Sequence, residues 1–120
     1  MANEINIQAA LTVQRSTPPM QATGVLDITQ TGKHCICSIQ NIGTTAEQLV
    51  IGDCATLGYL FVKNLDPTNY VQLGLDSAVS TQIFTKLKPN EFCLIPCNTS
   101  TLYAKANTAA CDVVVAAAEA

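Results

Sequence analysis

The residues His34-Cys35-Ile36-Cys37 form the one local cluster in the sequence that could bind a metal. Structural zinc sites use four nitrogen or sulfur ligands, commonly in pairs about two to four residues apart. Cys93 and Cys97 could supply a second pair. Alternatively, Cys35 and Cys37 are two core residues, since alternate positions of a strand face the same side. Free cysteine is among the most buried residue types. The spacing favours buried thiols over a zinc site.

Disulfide bonds are the third interpretation of the cysteines, since an even number suggests pairing in a short secreted chain. The N-terminus, Met1-Ala2-Asn3-Glu4, lacks the positive and apolar regions of a signal peptide. We therefore expect reduced thiols in a protein made in a cytosol, although a protein released from the cell can oxidise afterwards. The sequence leaves open which are free among Cys35, Cys37, Cys54, Cys93, Cys97 and Cys111.

Catalytic residues are not predicted. Nucleophilic catalysis needs a cysteine or serine beside a base, and the single histidine, His34, would face away from Cys35 if both lie in one strand. Four aspartates lie mostly at expected turns or strand ends, where aspartate is a common turn former: Asp27, Asp53, Asp66 and Asp76. We expect a protein that is not an enzyme and that uses no cofactor or metal.

The composition favours a protein that works as an assembly. Charged residues make up 12% of the 120 residues, which is about half the usual share, and such a surface resists self-association poorly. The net charge is −3, and six scattered lysines and arginines cannot neutralise a run of phosphates, so no nucleic-acid partner is expected. No stretch approaches the length of a membrane-spanning helix, so no membrane partner is expected either.

Alternation of apolar and polar residues with a period of two dominates the sequence. It is clearest from Ile5 to Val13 and predicts a long half-buried strand that ends before Pro18 and Pro19. We predict one all-β domain over residues 1–120, a sandwich or barrel of about ten short antiparallel strands with a C-terminal tail over 116–120. The predicted strands are 5–13, 23–29, 35–41, 48–51, 58–64, 70–75, 81–87, 92–96, 101–106 and 111–117.

The N-terminal strand is also the candidate interaction surface. As an arm over residues 1–15, it lies at a terminus and can extend to, or exchange with, a neighbouring chain. Its alternative role is that of an ordinary core-facing strand. The residues predicted to form the interface are Ile5, Ile7, Leu11 and Val13.

The aromatic residues could form the exposed platform that carbohydrate binding usually needs. Most lie in alternating strands, so we predict that they pack in the core or between sheets instead. They are Tyr59, Phe61, Tyr70, Phe84, Phe92 and Tyr103.

The segment from Gly58 to Gly74 (GYLFVKNLDPTNYVQLG) is similar to a pattern in small virion proteins of tailed bacteriophages. In those proteins a hairpin consists of a strand, followed by the segment N-L-D-x-x-N and then by the segment Y-V-x-L-G. Phe84 to Pro96 (F-x-x-L-K-P-x-E-F-x-L-I-P) resembles their second hairpin, and Leu102–Ala106 with Val113–Val115 resembles their closing strands. The resemblance covers about residues 58 to 115.

The resemblance implies a jelly-roll-like β-sandwich on a phage particle. The implied function is that of a capsid decoration (cement) protein, which binds the outer surface of the head and stabilises the shell by bridging capsomers. Its partners would be the major capsid protein and itself, as a homotrimer, on a virion assembled in the host cytoplasm. Two alternatives stay open: a tail, neck or fibre component, and a lectin-like module that binds host glycans.

Overall fold

The computed structural model describes residues 4–15, 18, 20–54 and 56–119, and this part of the chain contains strands and no helix. The predicted all-β class, with about ten short antiparallel strands, is confirmed. The strands are β1 (Ile5–Val13), β2 (Met20–Ile28), β3 (Cys35–Ile42), β4 (Glu47–Gln48), β5 (Leu57–Asn64), β6 (Val71–Gly74), β7 (Ile83–Leu87), β8 (Phe92–Pro96), β9 (Tyr103–Ala106) and β10 (Cys111–Glu119).

The chain divides into two compact units, one up to Thr31 and one from Gly32 to Glu119. The first unit is an antiparallel hairpin, in which β1 pairs with β2 from Ile5 opposite Ile28 to Val13 opposite Met20. The side-chain amide of Asn6 donates a hydrogen bond to the Asp27 carboxylate across this hairpin, at 2.7 Å. Residues 1–3 of the predicted arm, and Pro19, lie outside the described residues.

The second unit is a sandwich of two four-stranded antiparallel sheets. Their strand orders are β3-β10-β5-β8 and β4-β9-β6-β7. Along the chain, successive strands alternate between the sheets except at β6 and β7, which are paired neighbours. Eight strands in these two orders form a jelly roll, so the predicted jelly-roll-like sandwich is confirmed.

The core between the two sheets is aliphatic. Leu60, Val62 and Val115 of one sheet, and Val71 and Leu73 of the other, are fully buried. Burial of such side chains contributes about 25 cal/mol for each Å² of apolar surface removed from water. Because the alternate residues of the flanking strands face this layer, the core fixes which side chains face outward.

The two hairpins implied by the resemblance are wrong. β5 pairs with β10 and β8, whereas β6 pairs with β7 and β9, so the turn over residues 64–69 crosses from one sheet to the other. Hydrogen bonds of Asn64 stabilise this crossing between the sheets. Its buried side-chain amide donates to the carbonyl oxygen of Asn69, at 2.8 Å, and to that of Leu87 in the opposite sheet, at 3.0 Å. Its Oδ1 accepts a hydrogen bond from the backbone N–H of Asp66.

Several predicted boundaries need correction, among them those of β7 and β9, which begin at Ile83 and Tyr103 rather than at residues 81 and 101. β2 begins at Met20 rather than at residue 23, and the short β4 covers Glu47–Gln48 rather than residues 48–51. Residues 116–119, predicted to lie in a C-terminal tail, continue β10 between β3 and β5. Ala117 is buried on the core side of this central strand, and Ala116 and Ala118 lie on its outer side. Ala120 lies outside the described residues.

Candidate interaction surfaces

The sheet β3-β10-β5-β8 has an outer face that is almost entirely apolar. Residues directly opposite one another in paired strands share a face, so the register defines its members. Ile39 and Phe92 are exposed by 65% and 61%, and the Phe61 and Phe92 rings stack with centroids 5.6 Å apart. We call this surface the apolar sheet face; it consists of Cys35, Cys37, Ile39, Tyr59, Phe61, Phe92, Leu94, Pro96, Val114, Ala116 and Ala118.

Charge on this side of the sheet is confined to one end. Lys63 lies in the row that also contains Ile39 and Phe92, and Asp112 lies beyond that row, where it accepts a 2.9 Å hydrogen bond from Asn41. The other rows consist of residues of the apolar sheet face alone. Contiguous exposed apolar patches of more than a few hundred Å² are rare on monomers and commonly mark interaction sites.

The outer face of the second sheet has a polar and charged central row, beside a row that contains Gly74 and Tyr103. Gln72 lies opposite both Lys86 and Lys105 in the neighbouring strands. The Lys86 ammonium lies 4.6 Å from the centre of the Tyr70 ring, a cation–π distance. This side of the sandwich is adapted to water, so the two outer faces differ in the kind of surface that they can contact.

The β1–β2 hairpin is also apolar on one face and largely polar on the other. The register places the alternating residues of both strands together, and we call them the hairpin apolar face. Leu11 and Leu26 on this face are exposed by 59% and 48%. An isolated two-stranded hairpin is marginally stable in water, so this face needs a covering surface. Its members are Ile5, Ile7, Ala9, Leu11, Val13, Met20, Ala22, Gly24, Leu26 and Ile28.

All four residues predicted to form the interface lie on the hairpin apolar face. Ile5 and Ile7 are half-buried, Val13 is exposed by 38%, and Leu11 is the most exposed of the four. The alternative of a core-facing strand is therefore wrong for Leu11 and Val13. The residues of β2 that lie on the same face were not predicted to belong to the interface, although the sequence from Met20 to Ile28 shows an apolar pattern with a period of two.

The six cysteines are free thiols in three environments. Cys54 and Cys111 are buried, and Cys93 and Cys97 are half-buried. Cys35 and Cys37 are exposed because they lie on the apolar sheet face. The prediction of buried thiols is therefore wrong for Cys35 and Cys37. The side chain of Cys93 packs against the core, whereas Cys35 and Cys37 lie on the outer face of the same sheet. Cys93 is in β8 and the other two are in β3, and these strands form the two opposite edges of that sheet. The two cysteine pairs of the zinc alternative therefore do not meet. Among the described residues, no group of three or more His, Cys, Asp or Glu is placed to hold a metal.

The less exposed thiols are chemically quiet. Burial raises the pKa of Cys93 and of Cys97, and it raises that of Cys111 together with the nearby Asp66 carboxylate. Burial also raises the pKa of Cys54, with a further contribution from the charge of Glu119. These groups therefore remain protonated thiols at neutral pH, and a thiol is a poor nucleophile.

His34 contacts a carboxylate rather than a cysteine. Its Nδ1 lies 3.0 Å from Oε1 of Glu119, and the same oxygen accepts hydrogen bonds from the backbone N–H groups of Lys33 and His34, both at 3.0 Å. Glu119 is buried at the end of β10, whereas the His34 side chain is 54% exposed. The cluster joins the end of β10 to the residues before β3, which is a structural role.

The aromatic side chains contradict the prediction that they fill the core. Phe92 and Phe84 are exposed by 61% and 42%, and the remaining four are half-buried. The layer between the sheets is filled by aliphatic residues and alanine, which leaves the rings outside it. A depression of about 460 Å³ lies beside Phe92 and is lined also by Lys86, Asn90 and Glu91 among others.

Comparison of the chain with protein families, with curated proteins and with solved structures found no match. Across the described residues, no helix has the length and hydrophobicity needed to cross a membrane. Function is therefore inferred from the two apolar surfaces and from the architecture that presents them.

Proposed function

We propose that this chain is a structural virion protein, a capsid decoration (cement) protein that binds the outer surface of a phage head and stabilises the shell by bridging capsomers. The observation that carries the proposal is the apolar sheet face, exposed on a sandwich whose other outer face is polar. A lone soluble domain with such a surface tends to aggregate, whereas a decoration protein keeps it permanently covered. Jelly rolls occur in viral capsid proteins as well as in lectins and cupins. The apolar sheet face, which a permanent neighbour in a shell would cover, favours the first of these.

The proposed mechanism is the burial of apolar surface on two capsomers at once. Each 100 Å² of apolar surface that leaves water contributes about 2.5 kcal/mol, all of which is lost when the capsomers separate. The protein acts as a homotrimer on the major capsid protein, so several modest contacts add up through multivalent binding. Because it binds the assembled shell and not separated capsomers, it shifts the equilibrium towards the shell.

The test adds the purified protein to phage heads that lack it and measures the temperature at which the heads release their DNA. We expect that temperature to rise with the native chain and to rise less with Ile39→Lys or Phe92→Lys, which place a charge on the apolar sheet face. Gln72→Lys adds the same charge to the polar outer face and should act like the native chain. Equal head stability with and without the native protein would contradict the proposal.

A tail, neck or fibre component is the alternative within the same class, because the same apolar surface would serve there. Co-sedimentation separates the two locations. Binding to purified tails, with none to heads, would replace the capsid assignment by this one.

A lectin-like module is the second candidate, and the depression beside Phe92 favours it. There an exposed aromatic ring lies next to the charged and amide side chains of Lys86, Asn90 and Glu91, which is the combination that a sugar ring needs. A glycan array tests it directly. Binding that Phe92→Ala abolishes would support it, and an array without binding would exclude it for the glycans present.

A further inference from the structure

We propose that the hairpin apolar face of one copy packs on the apolar sheet face of a second copy. The inference deepens the proposed function, on which it rests for its setting, because it names the contact by which copies of the decoration protein hold one another. Each surface is defined by strand register and by exposed side chains, Leu11 and Leu26 on the hairpin and Ile39 and Phe92 on the sheet.

Charge favours this pairing of surfaces. The ten residues of the hairpin apolar face all lie in the described part of the chain, and none of them carries a charge. The apolar sheet face has Lys63 and Asp112 at one end only. Because Lys63 lies in the same row as Ile39 and Phe92, a hairpin that covers this row must leave the Lys63 ammonium at the edge of the contact, which the long flexible stem of lysine allows. Asp112 lies beyond that row, so the rest of the contact buries no charge.

Shape favours it as well. Two sheet faces pack about 10 Å apart with interdigitated side chains, so a protruding residue on one face needs a gap on the other. Ala9 lies opposite Gly24 at the centre of the hairpin apolar face, and a Cβ added at Gly24 would meet no atom within 4 Å. This gap can take a large exposed side chain such as Phe92 or Ile39.

The contact area is sufficient for a stable assembly. Nine paired positions at about 3.4 Å each, in two strands about 4.8 Å apart, give the hairpin apolar face a footprint of roughly 300 Å². Four strands of about five residues give the apolar sheet face a similar footprint. Two reciprocal contacts bury up to about 1,200 Å², the lower end of stable protein interfaces, and three contacts bury more.

A second copy is the occupant that covers both exposed surfaces with one kind of contact. Packing of hairpin on hairpin would leave the apolar sheet face in water. Each copy donates one hairpin and receives one, so the contact is heterologous, and it closes into a ring if the rotation between copies permits. The proposed homotrimer is one such ring.

The first experiment measures the mass of the full chain in reducing buffer by light scattering after gel filtration. We expect a multiple of the 12.7 kDa chain for the native protein and a single chain for Leu11→Lys, Leu26→Lys and Ile39→Lys. Two matched controls introduce lysine at equally exposed apolar positions elsewhere: Val25→Lys, at 71% exposure on the opposite face of the hairpin, and Val50→Lys, at 61% in a loop. Both controls should remain assembled.

Mixing distinguishes hairpin-on-sheet packing from hairpin-on-hairpin packing. Leu11→Lys has an intact sheet face and Ile39→Lys an intact hairpin, so an equal mixture regains one native contact per pair. Because one contact buries half the area of the reciprocal pair, two-chain particles should form as the protein concentration is raised, whereas each variant alone stays a single chain. If hairpins packed on one another, Ile39→Lys would assemble alone and mixing would add nothing.

The exposed thiols report on the sheet face directly. Maleimide should label Cys35 and Cys37 at least tenfold more slowly in the native assembly than in Leu11→Lys, with the labelled positions identified by mass spectrometry. Equal labelling rates, a monomeric native protein, or hairpin variants that stay assembled would each overturn the proposal. None of these measurements uses phage heads, so failure here would leave the effect on heads to be judged separately.

Discussion

Gly32 lies so close to Glu119 that a Cβ at position 32 would collide with the Cβ and carboxylate of Glu119. The contact joins the residues before β3 to the end of β10. Glu119 is held there by the N–H groups of Lys33 and His34, so neither side can easily move away. The absence of a side chain at position 32 is thus a condition for the pairing of these two strands.

Gly32→Ala should therefore destabilise the sandwich by about 1–3 kcal/mol, the usual cost of overpacking a close contact. Gly24→Ala is the matched control, because open space surrounds that position. Urea unfolding measures both. Equal midpoints for the two variants would mean that the chain before β3 relaxes without cost.

Glu119→Ala should cost about 1–3 kcal/mol, because it leaves two backbone N–H groups without their acceptor in a partly buried site. Glu119→Gln keeps an acceptor oxygen and should cost less. His34→Ala should have a small effect, since the ring is half exposed. Thermal unfolding of the three variants checks this order, and a larger effect of His34→Ala would contradict it.

Asn64→Ala should destabilise the chain by about 1–3 kcal/mol, because the carbonyl oxygens of Asn69 and Leu87 lose a buried donor. Asn41→Ala is the control: its amide also bonds across strands, to Asp112, but at the exposed surface. Denaturant unfolding gives the difference. If the two variants lost equal stability, the link between the sheets through Asn64 would not be important.

Leu73→Ala should cost about 2–5 kcal/mol, since Leu73 is fully buried between the sheets and its loss leaves a cavity. Leu75→Ala changes the same residue type two positions along the chain, where the side chain is 47% exposed. It should cost less than 1 kcal/mol, on the order of ordinary surface substitutions. Similar losses for both would contradict the assignment of the core.

Asp76 should make stability depend on pH in the acid range. Its carboxylate accepts hydrogen bonds from the backbone N–H of Ser80 first, then of Gln82 and Thr81, and these lower its pKa to about 2. A lowered pKa stabilises the folded state above the unfolded value near 4, and this contribution disappears as the pH falls towards 2. Unfolding midpoints measured from pH 5 to pH 2 should fall more for the native chain than for Asp76→Asn. If the unfolding midpoints of the native chain and of Asp76→Asn fell in parallel with pH, the predicted role of Asp76 would be contradicted.

The strands were predictable from the sequence because each has its own period-two pattern. Ile5 to Val13 and Cys111 to Ala117 alternate clearly, and turn residues such as Asp66 and Pro67 separate the elements. Which sheet a strand joins was not predictable in this way. That choice depends on contacts such as the one from Asn64 to Leu87, and the sequence pattern of a hairpin is similar to that of a crossing between sheets.

The surfaces were predictable in part for a related reason. Alternation places Cys35, Cys37 and Ile39 on one face, but it does not say which face is buried when both are apolar. Between Val113 and Ala118 both faces of the strand are apolar, and Val113, Val115 and Ala117 are the residues buried in the core. A strand that is apolar on both sides indicates burial on both sides, and this is the signal by which the exposed sheet face could have been recognised.

The strand order has a consequence for synthesis on the ribosome. β10 follows the other nine described strands in the chain, yet it lies between β3 and β5 and pairs with both. The hairpin β1–β2 can form as soon as it leaves the exit tunnel, because its partners are neighbours in sequence. The sandwich must wait until β10 has left the tunnel, so β3 and β5 stay unjoined while the residues between β5 and β10 are being synthesised. Chaperones that shield apolar strands would have their longest contact with this protein during that interval.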